Sequence, residues 1–175
     1  MNAERRKWTW ADLIGWGAVV AVVLAATWPI LPYVAARGAV LNLHTPNWAL
    51  FLELPWVVQL HVYGAVAAFV IGTVILLQRK GSGLHKTLGW TWVVAMATTA
   101  ISSLFITGLN GGFYSFVHLL SGWTIIALPM AIFAIRNRKV DAHRRAMTGM
   151  FVGGLLVAGA LTFIPGRVMF EIFFG

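Results

Sequence analysis

Long apolar stretches alternate with short basic connections along this chain. Each stretch is long enough to cross about 30 Å of hydrocarbon as a helix that rises about 1.5 Å per residue. The pattern predicts five transmembrane helices, at 13–35, 57–78, 86–107, 113–135 and 146–164. The first helix follows a basic segment, and its length, tryptophans and prolines indicate a retained anchor rather than a cleaved signal peptide.

The composition agrees with this pattern and excludes a soluble globular domain. Of the 175 residues, 59% are hydrophobic and only 10% are charged, whereas a soluble domain usually carries about 25% charge. The abundance of Trp and Phe excludes a disordered chain. Because the chain has no Cys, it cannot use disulfides, thiolate iron–sulfur ligation or covalent c-type haem attachment. We therefore expect one all-α integral membrane domain over residues 1–175.

The basic residues predict the orientation of the five helices. Of the 13 Lys and Arg residues, all except Arg37 and Arg167 fall on the same side of the predicted membrane. The positive-inside rule then places the N-terminus in the cytoplasm and the C-terminus outside, for a multi-pass protein of a bacterial inner membrane. The net charge of +8 follows from this topology, so the expected partner is the lipid bilayer and not nucleic acid.

Histidines are the ionisable residues that enter the predicted helices, since all the carboxylates lie at helix ends or in loops. His61 and His118 lie about one turn from the outer ends of the second and fourth helices. His85 and His143 lie at the inner ends of the third and fifth. Two imidazoles at one depth can act as the axial ligands of a haem iron. We therefore predict His61 with His118 as ligands of an outer haem b, and His85 with His143 as ligands of an inner one.

Small residues and cations accompany these histidines. Gly64, Gly89 and Gly122 follow His61, His85 and His118 by three or four residues, so they share the helix face on which a flat macrocycle could approach the backbone. Three cations near the inner pair could bind haem propionates: Lys86, Arg144 and Arg145.

Each of these features also has a structural interpretation. The outer histidines could bond to a neighbouring helix, the inner ones could contact lipid headgroups, and stripes of small residues are typical of helix–helix contacts. The protein would then be a non-catalytic accessory or assembly subunit of a larger membrane complex. A third hypothesis is Cu²⁺ or Zn²⁺ binding by histidine alone, although two histidines underfill the usual coordination of either ion.

Five segments of the chain resemble a family of bacterial integral-membrane proteins called domain of unknown function 2306. In order, the segments are LH at 60–61, RKGSGLHKTLGW at 79–90, FVHLLS at 116–121, HRRAM at 143–147 and TFIPGR at 162–167. They cover most of the chain after the first helix. The family resemblance implies a membrane protein and implies no activity.

The same region is similar to the transmembrane di-haem b-type cytochromes that use ascorbate as donor. GFYSFVH at 112–118 is similar to the glycine, aromatic and serine residues that precede a ligand histidine there. The similarity implies that helices two to five form an antiparallel four-helix bundle with helix one peripheral. It also implies electron transfer, with a quinone or another redox donor as partner. No ascorbate-site motif accompanies it.

Overall fold

The described chain is all-helical. A computed structural model of the protein describes residues 44–107 and 116–174. In chain order its helices are α1 (Trp48–Glu53), α2 (Trp56–Leu77), α3 (Gly83–Ser103), α4 (Phe116–Arg136), α5 (Val140–Gly149), a π-helical segment (Met150–Val157), α6 (Ala158–Leu161) and α7 (Val168–Phe174). The predicted helix at 13–35 lies outside the described residues.

Two helices begin three or more residues earlier than the hydropathy pattern predicts. α3 begins at Gly83 and not at 86, because the Ser82 hydroxyl accepts a hydrogen bond from the His85 backbone N–H at 3.1 Å and so caps the helix. The helix ends at Ser103, before the predicted end at 107. The helix predicted at 146–164 begins at Val140 and continues without a break through the π-helical segment to Leu161. His85 and His143 therefore lie inside the first turns of their helices.

Two helices of the described residues are long and apolar enough to cross a membrane, at Trp56–Leu77 and Val117–Arg136. Only 17% of the most apolar part of α2 is buried inside the protein. A core helix of a soluble protein would be mostly covered, so this exposed apolar surface is the kind that lipid covers. The fold is thus that of an all-α protein with apolar outward faces.

The long helices pack in chain order, and the π-helical segment returns to α2. α2 packs along α3, α3 contacts α4, α4 contacts α5, and the π-helical segment contacts both α2 and α4. Buried residues at the centre include Ala68, Trp92, Met96 and Phe151. A methyl group added at Gly72 would lie 2.6 Å from a carbon of the Phe151 ring and 2.7 Å from Trp92 Nε1. Gly72 therefore allows α2 to approach both rings closely.

A second, smaller contact joins α1 to α7 near the N-terminal end of α2. The Asn47 side chain caps α1 by accepting from the Leu50 N–H at 3.1 Å, and the Asn47 backbone N–H donates to the Ile172 carbonyl at 2.9 Å. Trp48 and Phe173 meet edge to face, with ring centroids 6.2 Å apart. A backbone hydrogen bond and an aromatic contact thus join the two short helices.

Substitution of Gly72 by Ala should destabilise the protein by about 1–3 kcal/mol, because the added methyl group overpacks the contact between α2 and the π-helical segment. The measurement is thermal unfolding of the purified protein in detergent. Gly149→Ala is the matched control, since a methyl group there meets nothing within 4 Å. An equal midpoint for Gly72→Ala and the wild type would contradict the close packing.

Candidate functional site

A cavity of about 500 Å³ opens at one end of the helices. The basic connections between α2 and α3 and between α4 and α5 lie at this end. We call it the inner cavity. Side chains of α2, α3, α4, α5 and the π-helical segment line it, and the lining is mostly apolar. His85 and His143, the predicted inner pair, both belong to the lining, together with Gly89 and Lys86. The fold thus brings four predicted site residues to one cavity.

His85 lies at the inner end of α3, before the apolar stretch at 86–107. Its Nδ1 is buried and has no hydrogen-bond partner within the described ranges. Burial of the ring, the charge of His143 and the charge of Lys80 lower the pKa of His85. The positive end of the α3 dipole acts in the same direction. These effects favour the neutral imidazole, which keeps a lone pair for a ligand.

His143 contacts the neighbouring helix through one ring nitrogen. Its Nδ1 lies 3.0 Å from the carbonyl oxygen of Ala131 on α4. Because a carbonyl oxygen can only accept, Nδ1 carries the proton and donates it. In the neutral ring Nε2 then keeps its lone pair. Metal-ligating histidines are commonly held in this way, with the second ring nitrogen bonded to a carbonyl.

His61 makes the same kind of bond between α2 and α3. Its Nδ1 lies 2.9 Å from the Thr99 carbonyl and 3.3 Å from the Ser102 hydroxyl. This is the interhelical bond that the structural interpretation of the sequence expects. It also leaves Nε2 as the acceptor nitrogen, as at His143. The bond is therefore compatible with a packing role and with ligation.

His118 lies half-buried on α4, one turn before Ser121. The Ser121 hydroxyl contacts the hydroxyl of Ser103 on α3. Five buried hydroxyl residues lie in this part of the protein, and their hydroxyls donate to carbonyls of the preceding turn or to each other: Thr99, Ser102, Ser103, Ser121 and Thr124. His61 thus borders a polar layer that joins α2, α3 and α4.

The three predicted glycines differ in what lies beside them. A methyl group at Gly64 would lie 2.8 Å from the Thr99 hydroxyl oxygen, so this glycine allows close contact of α2 with α3. A methyl group at Gly89 or Gly122 would meet no atom of residues 44–107 or 116–174 within 4 Å. The described residues therefore leave space beside Gly89 and Gly122, and Gly89 belongs to the lining of the inner cavity.

The cations of the inner end do not all face the cavity. Arg144 lies 3.2 Å from Asp141 in an exposed ion pair along α5, and neither Arg144 nor Arg145 belongs to the cavity lining. The arginine in the lining is Arg136, the last residue of α4. In the sequence, Arg136 is only one of the basic residues that predict the topology. Arg136 lies one short turn before α5 and close to His143 in sequence, and this closeness could have identified it as a candidate site residue.

A bifunctional maleimide should crosslink the double variant His85→Cys/His143→Cys, because both positions line one cavity. The natural chain has no Cys, so the background is clean. The control is His44→Cys/His143→Cys, whose positions lie beyond opposite ends of the 22-residue α2, roughly 33 Å apart. Mass spectrometry of digests identifies the linked peptides. Equal crosslinking of the two variants would contradict the shared cavity.

One comparison with known proteins identifies a family. A family model described as "Predicted membrane protein (DUF2306)" matches residues 58–174, which include every residue that lines the inner cavity. No curated protein and no solved structure matches the chain.

Proposed function

The chain belongs to the DUF2306 family of predicted membrane proteins, and from this premise we propose that it is a small b-type cytochrome that transfers electrons within or across a bacterial inner membrane. One observation carries the proposal. His85 and His143 come from different helices and line one cavity, together with Gly89 and Lys86.

The residues of the inner cavity fit haem b better than a bare metal ion. An iron in a porphyrin needs only two axial protein ligands, whereas a bare Zn²⁺ site usually needs three or four. In the described part of the chain, no three residues of the types His, Cys, Asp and Glu converge as a metal site. The cavity volume of about 500 Å³ lies within the usual range for cofactor sites. Haem b would supply a one-electron centre that alternates between Fe(III) and Fe(II).

The residues around the cavity have separate roles in this proposal. His85 and His143 offer imidazole nitrogens, and the bond from His143 to the Ala131 carbonyl fixes which nitrogen is available. Gly89 leaves room for a flat ring beside the α3 backbone. The apolar walls exclude water, which adjusts the reduction potential through the local dielectric.

The proposal extends to the whole membrane arrangement. The order of helix contacts is consistent with an antiparallel bundle of α2, α3, α4 and the continuous helix from α5 to α6. In such a bundle α2 lies diagonally from α4, and α3 from α5, so each predicted histidine pair would span a diagonal. With a further span at 13–35 the chain would have five spans, an N-terminus in the cytoplasm and a C-terminus outside.

The outer pair, His61 and His118, would hold a second haem b near the other face. The support is that the His61 Nδ1–H bond to Thr99 leaves Nε2 available, and that the described residues leave space beside Gly122. Two haem levels would provide a path for electrons from one face of the membrane to the other.

Purified from haem-replete cells, the protein should show a Soret band and reduced-minus-oxidised α-bands of b type. His85→Ala and His143→Asn should remove the same spectral component. Asn keeps a donor for the Ala131 carbonyl but removes Nε2, so His143→Asn separates ligation from the interhelical bond. His44→Ala is the control, since His44 is exposed and bonds only to the adjacent Thr45 carbonyl. A colourless wild-type protein would refute the proposal.

The same spectra test the outer pair. The Asn side chain of His61→Asn can still donate to the Thr99 carbonyl. If His61→Asn and His118→Ala each lose the same spectral component, the two histidines are ligands of one haem. An unchanged spectrum for His61→Asn would mean that His61 serves only as a bond between α2 and α3.

A non-catalytic subunit of a membrane complex is the second candidate function. It is favoured by the interhelical bond of His61, which explains that residue without a cofactor, and by the exposed apolar faces of α2 and α4. A colourless protein that co-purifies with a stoichiometric membrane partner would support this function instead.

The orientation predicts how single cysteines react with a membrane-impermeant maleimide. Glu171→Cys should be labelled from outside spheroplasts, and Asn137→Cys should be labelled only after the membrane is permeabilised, because the two positions would lie on opposite faces. Both residues are exposed, and neither substitution removes a basic residue. Labelling of Asn137→Cys in intact spheroplasts would contradict the orientation.

A further inference from the structure

The lining of the inner cavity changes from cationic at one end to apolar at the other. Lys86 from α3 and Arg136 from α4 belong to its lining, and both are exposed residues at the inner ends of their helices. Trp92 and Phe151 belong to the lining as buried residues. Trp92 lies six residues beyond Lys86 on α3, so it is roughly 9 Å deeper. The cavity therefore runs from a cationic mouth to an apolar floor.

We infer that Lys86 and Arg136 bind the carboxylates of an amphiphilic ligand and orient it with its anionic edge at the inner face. The inference rests on the proposed function, in which these carboxylates are the two propionates of haem b. It assigns to Arg136 the role that the sequence suggested for Arg144 and Arg145.

The charges around the mouth favour this pair over its neighbours. Arg144 pairs with Asp141, and the Lys80 ammonium donates to the carbonyls of Leu76 and Gln78, where it caps α2. Among the described residues, no carboxylate pairs with the two cavity cations, Lys86 and Arg136.

The chemistry of the two side chains suits carboxylates at this position. An Arg guanidinium binds a carboxylate through two parallel hydrogen bonds, and a Lys ammonium binds a second one as a compact charge. α3 begins at this end of the cavity, so its dipole adds positive potential there. A uniformly apolar occupant would use the walls and leave both cations without an anionic partner.

The test compares two porphyrins that differ only in their carboxylates. Full-length protein from haem-limited cells is titrated in detergent with haemin and with haemin dimethyl ester, whose propionates are esterified. Binding is followed by the Soret band and by quenching of Trp fluorescence, since Trp90 and Trp92 line the cavity. The wild type should prefer haemin by about tenfold to a hundredfold, the range expected for hydrogen bonds to charged groups.

Arg136→Gln and Lys86→Gln should each reduce this preference, and Arg144→Gln is the matched control that should retain it. Arg136→Lys, which keeps the charge but not the paired hydrogen bonds, should be intermediate. Thermal unfolding of each variant verifies that the fold is intact.

The outcomes separate this inference from the proposed function. If Arg136→Gln and Arg144→Gln bind haemin tightly and prefer it equally over its dimethyl ester, the role of Arg136 is wrong. The cytochrome proposal would remain valid in that case. Absence of saturable binding of either porphyrin would overturn both. If added phosphatidylglycerol abolishes the wild-type preference, Lys86 and Arg136 bind lipid phosphate and the assignment to propionates is wrong.

Discussion

The contact of α2 with α3 and the π-helical segment at Gly72 is the constraint on which the inner half of the protein depends. Because Gly72 has no side chain, the Phe151 and Trp92 rings reach the α2 backbone and close the apolar core there. The same two rings belong to the lining of the inner cavity. A larger residue at position 72 would therefore disturb the packing and the cavity together, since they share these side chains.

Bonds from imidazole to backbone carbonyls join the helices at both levels of the structure. His143 joins α5 to α4, and His61 joins α2 to α3. In each case the carbonyl holds the proton on Nδ1 and so leaves Nε2 as the acceptor nitrogen. The packing role and the ligand role of these histidines are thus compatible, because they use different nitrogens. This is why asparagine, which can replace only the donor, distinguishes the two roles.

Much of the fold and part of the candidate site could be predicted from the sequence. Helices appear where the apolar stretches lie, and the inner histidines line one cavity with Gly89 and Lys86. Hydropathy predicts a start at 86 for α3, and the helix begins at Gly83 because the Ser82 hydroxyl caps it by a local hydrogen bond that hydropathy does not register. The space beside Gly64 could not be predicted, because Thr99 of another helix occupies it.

The sequence by itself determined the all-helical membrane character, the helix-end positions of the inner histidines and the absence of thiol chemistry, since apolar runs, residue spacing and composition are properties of the local chain. Only the tertiary structure decided which cations reach the inner cavity. Arg136, Arg144 and Arg145 are close in sequence and alike in charge. The tight turn between α4 and α5 leaves Arg136 at the cavity and Arg144 beside Asp141, because the direction of a side chain depends on how its helix packs against the others.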